Sequence, residues 1–185
     1  TTFRKLTVNA GSTTTLNTNV TLSGASSTLY VKGTLDPGDS PTYKITGLAM
    51  TTYINAKLKI KGATFADNYT MSGTVTFNAG STAEYGSIST DQIVNSSYTY
   101  STLIISGSGI KSLTANLPSL RSTAATYGNI YVNAGAFDLS SFTANRGTST
   151  SGGTISVANG ATLKIGGTNT FPANFSTNTL SLSSI

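Results

Sequence analysis

The chain has 185 residues, a formal net charge of +5 from eleven basic and six acidic side chains, and no histidine, cysteine or tryptophan. That inventory excludes a disulfide framework, a thiolate metal centre and every mechanism that turns on a histidine base or a cysteine nucleophile. With 9% charged residues there is too little self-repulsion for an expanded polyelectrolyte, and the excess of Thr, Ser, Asn and Gly over helix formers points to a folded all-β chain.

Short alternating runs follow one another along the chain: Leu6–Val8, Leu16–Leu22, Leu29–Val31, Tyr43–Ile45, Leu58–Ile60, Val75–Phe77, Ile130–Val132, Ile155–Val157, Leu163–Ile165 and Leu180–Leu182. Most run into a turn signal, among them Ser23-Gly24, Lys32-Gly33, Thr46-Gly47, Lys61-Gly62 and Ser72-Gly73. Leu113–Thr126 is the nearest approach to a helix, but Pro118 interrupts it and its apolar spacing is irregular. No apolar run approaches the ~20 residues of a membrane span, and Thr1–Leu6 lacks the features of a signal peptide. Together with the strand-like opening and close, this predicts one segment over residues 1–185, a piece of a longer protein.

An internal repeat organises these runs. Val8-Asn-Ala-Gly11, Phe77-Asn-Ala-Gly80, Val132-Asn-Ala-Gly135 and the variant Val157-Ala-Asn-Gly160 each end one alternation and lead into the next. The glycines are separated by 69, 55 and 25 residues, which suits rungs of roughly 20 to 28 residues with insertions at the corners, such as Asp36–Pro41. The predicted fold is all-β, a right-handed parallel β-helix or β-solenoid with degenerate rungs; the competing architecture is a β-sandwich.

Met71-Ser-Gly-Thr-Val-Thr-Phe-Asn-Ala-Gly-Ser-Thr-Ala-Glu-Tyr85, then Asp91-Gln-Ile93, then Tyr100-Ser-Thr-Leu-Ile-Ile-Ser-Gly-Ser-Gly-Ile-Lys-Ser-Leu113, resembles a unit of very large Bacteroidota cell-surface proteins. The resemblance covers residues 71–113, with scattered echoes elsewhere such as Gly152–Val157. It implies a secreted repeat protein exported by the type IX system, located at the bacterial cell surface, with an adhesive, gliding-motility or matrix role. The partners it implies are surface glycans, the substratum, other copies of the chain, or the secretion and gliding machinery.

Chemistry-bearing residues are few. The acids Asp36, Asp39, Asp67, Glu84, Asp91 and Asp138 are scattered, so an enzyme is not expected; a polysaccharide-active β-helix enzyme would need coiling to bring two of them together beside Arg or Lys in a groove. Asp36-Pro37-Gly38-Asp39 sets two carboxylates on one loop, enough for a weak calcium site, but Pro37 and Gly38 read first as a compact turn and no cofactor is expected. Lys57, Lys59 and Lys61 alternate with Leu58 and Ile60, which predicts three ammonium groups on one face of a strand and two aliphatic groups in the core. That face is a candidate contact for acidic polysaccharide, or else an edge protected by charge. Tyr98 and Tyr100 share a face if extended and are candidates for stacking on sugars, or for a ladder inside the coil. The small charge and the lack of aromatics among those lysines argue against nucleic acid. Ice binding would require evenly spaced outward threonines, and Thr-x-Thr pairs at 13–15, 148–150 and 168–170 do not recur at one spacing.

Overall fold

The computed structural model describes residues 2–39, 42–167 and 169–180. The chain winds as a β-solenoid of about 7 turns, with every strand pairing parallel to its counterparts in the turns above and below. A sandwich is excluded, because hairpins would pair antiparallel.

The first turn contains β1 (Thr2–Phe3), β2 (Lys5–Val8) and β3 (Thr13–Thr15), and the second β4 (Val20–Leu22), β5 (Thr28–Val31) and β6 (Thr34–Asp36). The third contains β7 (Ile45–Gly47), β8 (Ala49–Thr52) and β9 (Lys57–Ile60), followed by the short helix α1 (Phe65–Asn68). The fourth contains β10 (Tyr69–Met71), β11 (Val75–Phe77) and β12 (Thr82–Tyr85). Stacked, these turns make sheet A from β1-β4-β7-β10 and sheet B from β2-β5-β8-β11.

Beyond Tyr85 the cross-section changes. The strands β13 (Gln92–Ile93), β14 (Thr102–Ile105), β15 (Ile110–Ser112), β16 (Asn129–Val132), β17 (Ala136–Asp138), β18 (Thr154–Val157), β19 (Thr162–Lys164) and β20 (Thr177–Leu180) follow. The odd-numbered four form sheet D. The even-numbered four extend β3-β6-β9-β12 into the eight-stranded sheet C, which runs through every turn.

Alternation explains the core. In sheet C, Leu35, Leu58, Ala83, Leu103, Ile130 and Ile155 occupy successive inward positions and are fully buried. A single turn covers none of these side chains; the turns stacked about 4.8 Å away on either side do. The outward position before them repeats as Thr34, Lys57, Thr82 and Thr102.

The repeated signature is a corner. Gly11, Gly80, Gly135 and Gly160 all have positive φ, between 66° and 79°, the left-handed region where glycine carries no Cβ penalty. In three of the four corners an amide three residues on donates to the first carbonyl: Ser12 to Asn9, Ser81 to Asn78, and Ala161 to Ala158. In the third turn Asn55, with φ 62°, takes the place of the glycine. In the second turn the corner shrinks to Lys32-Gly33, where a Cβ on Gly33 would lie 2.2 Å from the Asn9 carbonyl oxygen. These length changes blur the period: turns measured along sheet C vary from 20 residues, Thr82 to Thr102, to 27, Thr102 to Asn129.

Local expectations needed correction at three points, the first being that of the run Tyr43–Ile45 only Ile45 belongs to a strand, as the start of β7. The run Leu16–Leu22 is not one strand, because the chain turns between β3 and β4. Thr46-Gly47 is not a turn but the end of β7, where Gly47 packs over Leu22 and a Cβ would come within 3.2 Å of the Leu22 Cβ. The predicted insertion does form a corner, between β6 and β7; its Ser40 and Pro41, like Leu182 of the last run and Thr168 of the last Thr-x-Thr pair, lie outside the described residues.

Large rings fill the interior where the three-sheet section ends. Phe65, Tyr69, Phe77, Tyr98 and Tyr100 contact one another, with centroid separations from 5.0 Å for Phe65–Tyr98 to 6.5 Å for Tyr98–Tyr100. Strands no longer stack there on strands of the same kind, and rings fill irregular space better than aliphatic columns do.

Candidate functional site

The outer face of sheet C carries the main charge cluster. Strand β9 points Leu58 and Ile60 inward and Lys57 and Lys59 outward, as its alternation predicts, with Lys61 just beyond its end. All three ammonium groups are already paired: Lys57 with Glu84 at 2.9 Å, Lys59 with Asp36 at 2.7 Å and Lys61 with Asp39 at 2.7 Å. The third turn is thereby clasped to the second through the aspartates and to the fourth through the glutamate.

These partners set the titration of the acids. Burial alone would raise the Asp36 carboxyl, but hydrogen bonds from Lys59 and the Gly38 amide, with the charges of Lys59 and Lys61, hold it below the usual value. Burial likewise acts upward on Glu84 and is outweighed by hydrogen bonds from Ser106 and Lys57. Lys59 is pushed up, chiefly by its hydrogen bond to Asp36. Both carboxylates are therefore ionised at neutral pH, the wrong state for a general acid.

The remaining acids accept hydrogen bonds from backbone amides, Asp67 and Asp138 within their own turn and Asp91 from the next. Asp67 accepts from the Thr64 amide and hydroxyl at the start of α1, Asp91 from the Ile110 amide, and Asp138 from the Ser140 amide. Asp36, Asp39 and Glu84 do converge with three lysines on the outer face of sheet C, and the cavities lined by Thr64–Ala66 with Ile93–Ser97, by Arg146–Thr148 with Asn174–Ser176, and by Val157, Leu163 and Phe171 do not include them. The calcium candidates Asp36 and Asp39 face lysine ammonium groups, and no group of three or more potential metal-ligating side chains occurs among the described residues.

Tyr98 and Tyr100 do not form an outward pair. Tyr100 is only 1% exposed, and its hydroxyl lies 3.0 Å from that of Tyr85 and donates to the Asn95 carbonyl at 2.7 Å. Tyr98 is half-buried beside it, with the two rings nearly perpendicular at 89°. Tyr100 also packs against Tyr85 and Phe77, with ring centroids 6.4 Å and 5.1 Å away.

The outward threonines form single columns. In sheet A, Thr21, Thr46 and Thr70 stand in register and exposed. In sheet C the Thr column is broken by Lys57 and Asn129, and the neighbouring outward column contains Asp36, Lys59, Glu84, Ile104 and Tyr131. A two-dimensional threonine lattice is absent from that face.

Sheet B holds a surface that linear reading missed. Lys5 projects over the Tyr30 ring at 4.7 Å and Lys32 over the Tyr53 ring at 5.1 Å, while the two rings meet edge to face at 6.0 Å. Lys5 and Lys32 are exposed, and among the described residues neither forms an ion pair. None of the six acids lies on the strands of sheet B or on the corners that flank them. Thr7, Tyr30, Thr51 and Thr76 stand in one outward column between these cations.

Two further cations, Lys111 and Arg146, are buried. Lys111, inward on sheet D beside Gln92, donates to the carbonyls of Ser87 and Ser108, and burial pushes its amine down against the opposing pull of Asp91. Arg146, 1% exposed, donates to the carbonyls of Tyr127, Gly147, Thr150 and Ala124, tying together the irregular segments that replace sheets A and B.

No helix among the described residues is long and apolar enough to cross a membrane. No protein-family profile, no curated protein sequence and no solved structure matches this chain.

Proposed function

We propose that this chain is a non-enzymatic structural and adhesive segment of a secreted bacterial surface protein, acting as a stiff spacer with contact-making faces. The observation that carries this reading is sheet C, an uninterrupted ladder of eight parallel strands. Pulled along the stack, such a rod loads many backbone hydrogen bonds together, and its Thr- and Ser-rich surface stays hydrated without high charge. The resemblance of residues 71–113 to Bacteroidota surface repeats supports export by the type IX route and a place in adhesion, gliding or a matrix. The engagement of all six carboxylates with lysines, backbone amides or turn hydroxyls supports a role without turnover.

A polysaccharide-active enzyme is the second reading, favoured by the meeting of Asp36, Glu84 and Lys59 on one parallel sheet. Incubation with acidic and neutral polysaccharides separates the two. The structural reading expects no soluble product, together with attachment of chain-coated beads to a substratum. Product formation abolished by Glu84→Gln would overturn it in favour of the enzyme.

A further inference from the structure

We propose that the outer face of sheet B, centred on Lys5, Tyr30, Lys32 and Tyr53, binds a linear acidic polysaccharide; the proposal rests on the adhesive reading above and names its ligand class.

Charge separates this face from the lysine cluster on sheet C. There, each ammonium already has a carboxylate within 2.9 Å, so a polyanion would have to displace an ion pair. On sheet B the cations have no acid opposite them, and attraction for an anionic polymer is uncompensated.

Position matters as much as sign. Each lysine is held over a tyrosine ring, at 4.7 Å and 5.1 Å, which limits the freedom lost when an anion binds. Lys5, Tyr30 with Lys32, and Tyr53 belong to the first, second and third turns, so the two cation–ring pairs form a stripe across three turns. Lys5 aligns with Thr28, four residues before Lys32, so the two cations are offset along the strands as well as by one turn, and a chain laid diagonally over the face meets both.

The surface between them fits sugar better than nucleic acid. The hydroxyls of Thr7, Tyr30, Thr51 and Thr76 make a column whose members have no side-chain hydrogen bond among the described residues, leaving them available to a polyhydroxylated ligand. Single-stranded nucleic acid would use open aromatic faces for base stacking. Both rings here are half-buried and already carry an ammonium over one face.

The test measures binding of the whole chain at low salt to alginate, a polyuronate, with dextran and a dT30 oligonucleotide as comparators. The paired variant Lys5→Gln with Lys32→Gln is set against Lys44→Gln with Lys164→Gln, which removes the same charge elsewhere. Unchanged circular dichroism and melting establish that both are folded. The proposal expects at least a tenfold loss of alginate affinity in the first pair, less than twofold in the second, and no dextran binding. Equal losses in both pairs, no loss in the first, or tighter binding of dT30 than of alginate through the same lysines would each overturn it. Bead attachment to bare substratum, measured on the same proteins, separates the two readings: retained attachment with a failed alginate result overturns only the glycan surface, whereas absent attachment overturns the adhesive reading itself.

Discussion

The hydroxyls of Tyr85 and Tyr100 lie 3.0 Å apart inside the solenoid, with their rings perpendicular at 87°, at the level where sheets A and B end and sheet D begins. The pair is tied to the backbone on both sides, since the Asn95 amide donates to Tyr85 and Tyr100 donates to the Asn95 carbonyl. Tyr85→Phe removes the acceptor for that amide and one partner of Tyr100, and is expected to cost about 1 to 3 kcal/mol in urea unfolding. A change within error would show that the hydroxyl pair contributes nothing net.

Stability is expected to fall at both ends of the pH scale. Asp36 and Glu84 are held down in the folded chain, so their contribution is complete above the ordinary carboxylate range and is lost as pH falls below about 4 through the folded values. Burial, partly offset by hydrogen bonding, pushes Tyr85 up to about 12, and burial moves Tyr69 and Tyr100 upward as well. Their contribution is complete below about pH 10 and is lost as pH rises from there through the folded values. Urea midpoints at pH 3, 7 and 11 measure this, and Tyr85→Phe is expected to flatten the alkaline arm relative to the parent. An identical alkaline arm in the variant would remove Tyr85 from the explanation.

Arg146→Met is expected to destabilise by about 3 kcal/mol or more, because it strips a donor from up to four carbonyls in the interior. Arg146→Lys should recover less than half of this, since one ammonium cannot reproduce the planar fork. Hydrogen exchange should locate the loosening between residues 121 and 153, with the first three turns protected as before, as nearest-neighbour coupling in a stacked coil requires.

Thr52→Val is expected to stabilise by about 1 kcal/mol. Thr52 points inward from β8, is fully buried, and its hydroxyl has no hydrogen-bond partner among the described residues. Valine fills nearly the same shape without that desolvation cost. A lower thermal midpoint in the variant would show that the hydroxyl has an acceptor in solution.

The Lys59–Asp36 clasp is partly exposed, at 26% and 13% of the two side chains, which limits its worth. A double-mutant cycle with Lys59→Met and Asp36→Asn should give a coupling of about 0.5 to 1 kcal/mol that shrinks in 1 M salt. Coupling unchanged by salt would mean that the pair acts through its hydrogen bond alone.

Much of the architecture was legible in the residues themselves. Alternation in Leu58–Ile60 and Ile130–Val132 marks strands because side-chain direction has period two, and Gly11, Gly80, Gly135 and Gly160 mark corners because only a residue tolerant of positive φ turns there. Both are local properties, readable wherever the chain writes them. Which residue lies above which is not local. Corners of different length, such as Lys32-Gly33 against Asn9–Ser12, shift the number of residues per turn, and only the stacked coil reveals that Lys59 meets Asp36 or that Tyr100 faces inward onto Tyr85. The sequence alone thus determined an all-β chain of short strands turned at Asn-Ala-Gly corners, a pattern that suits a solenoid and admits a sandwich, whereas the tertiary structure decided the parallel stacking, which cations are neutralised, on sheet C, and which stand without an acid opposite them, on sheet B. Charge pairing acts over a few ångströms between turns some 20 to 27 residues apart, and no reading along the chain contains that distance.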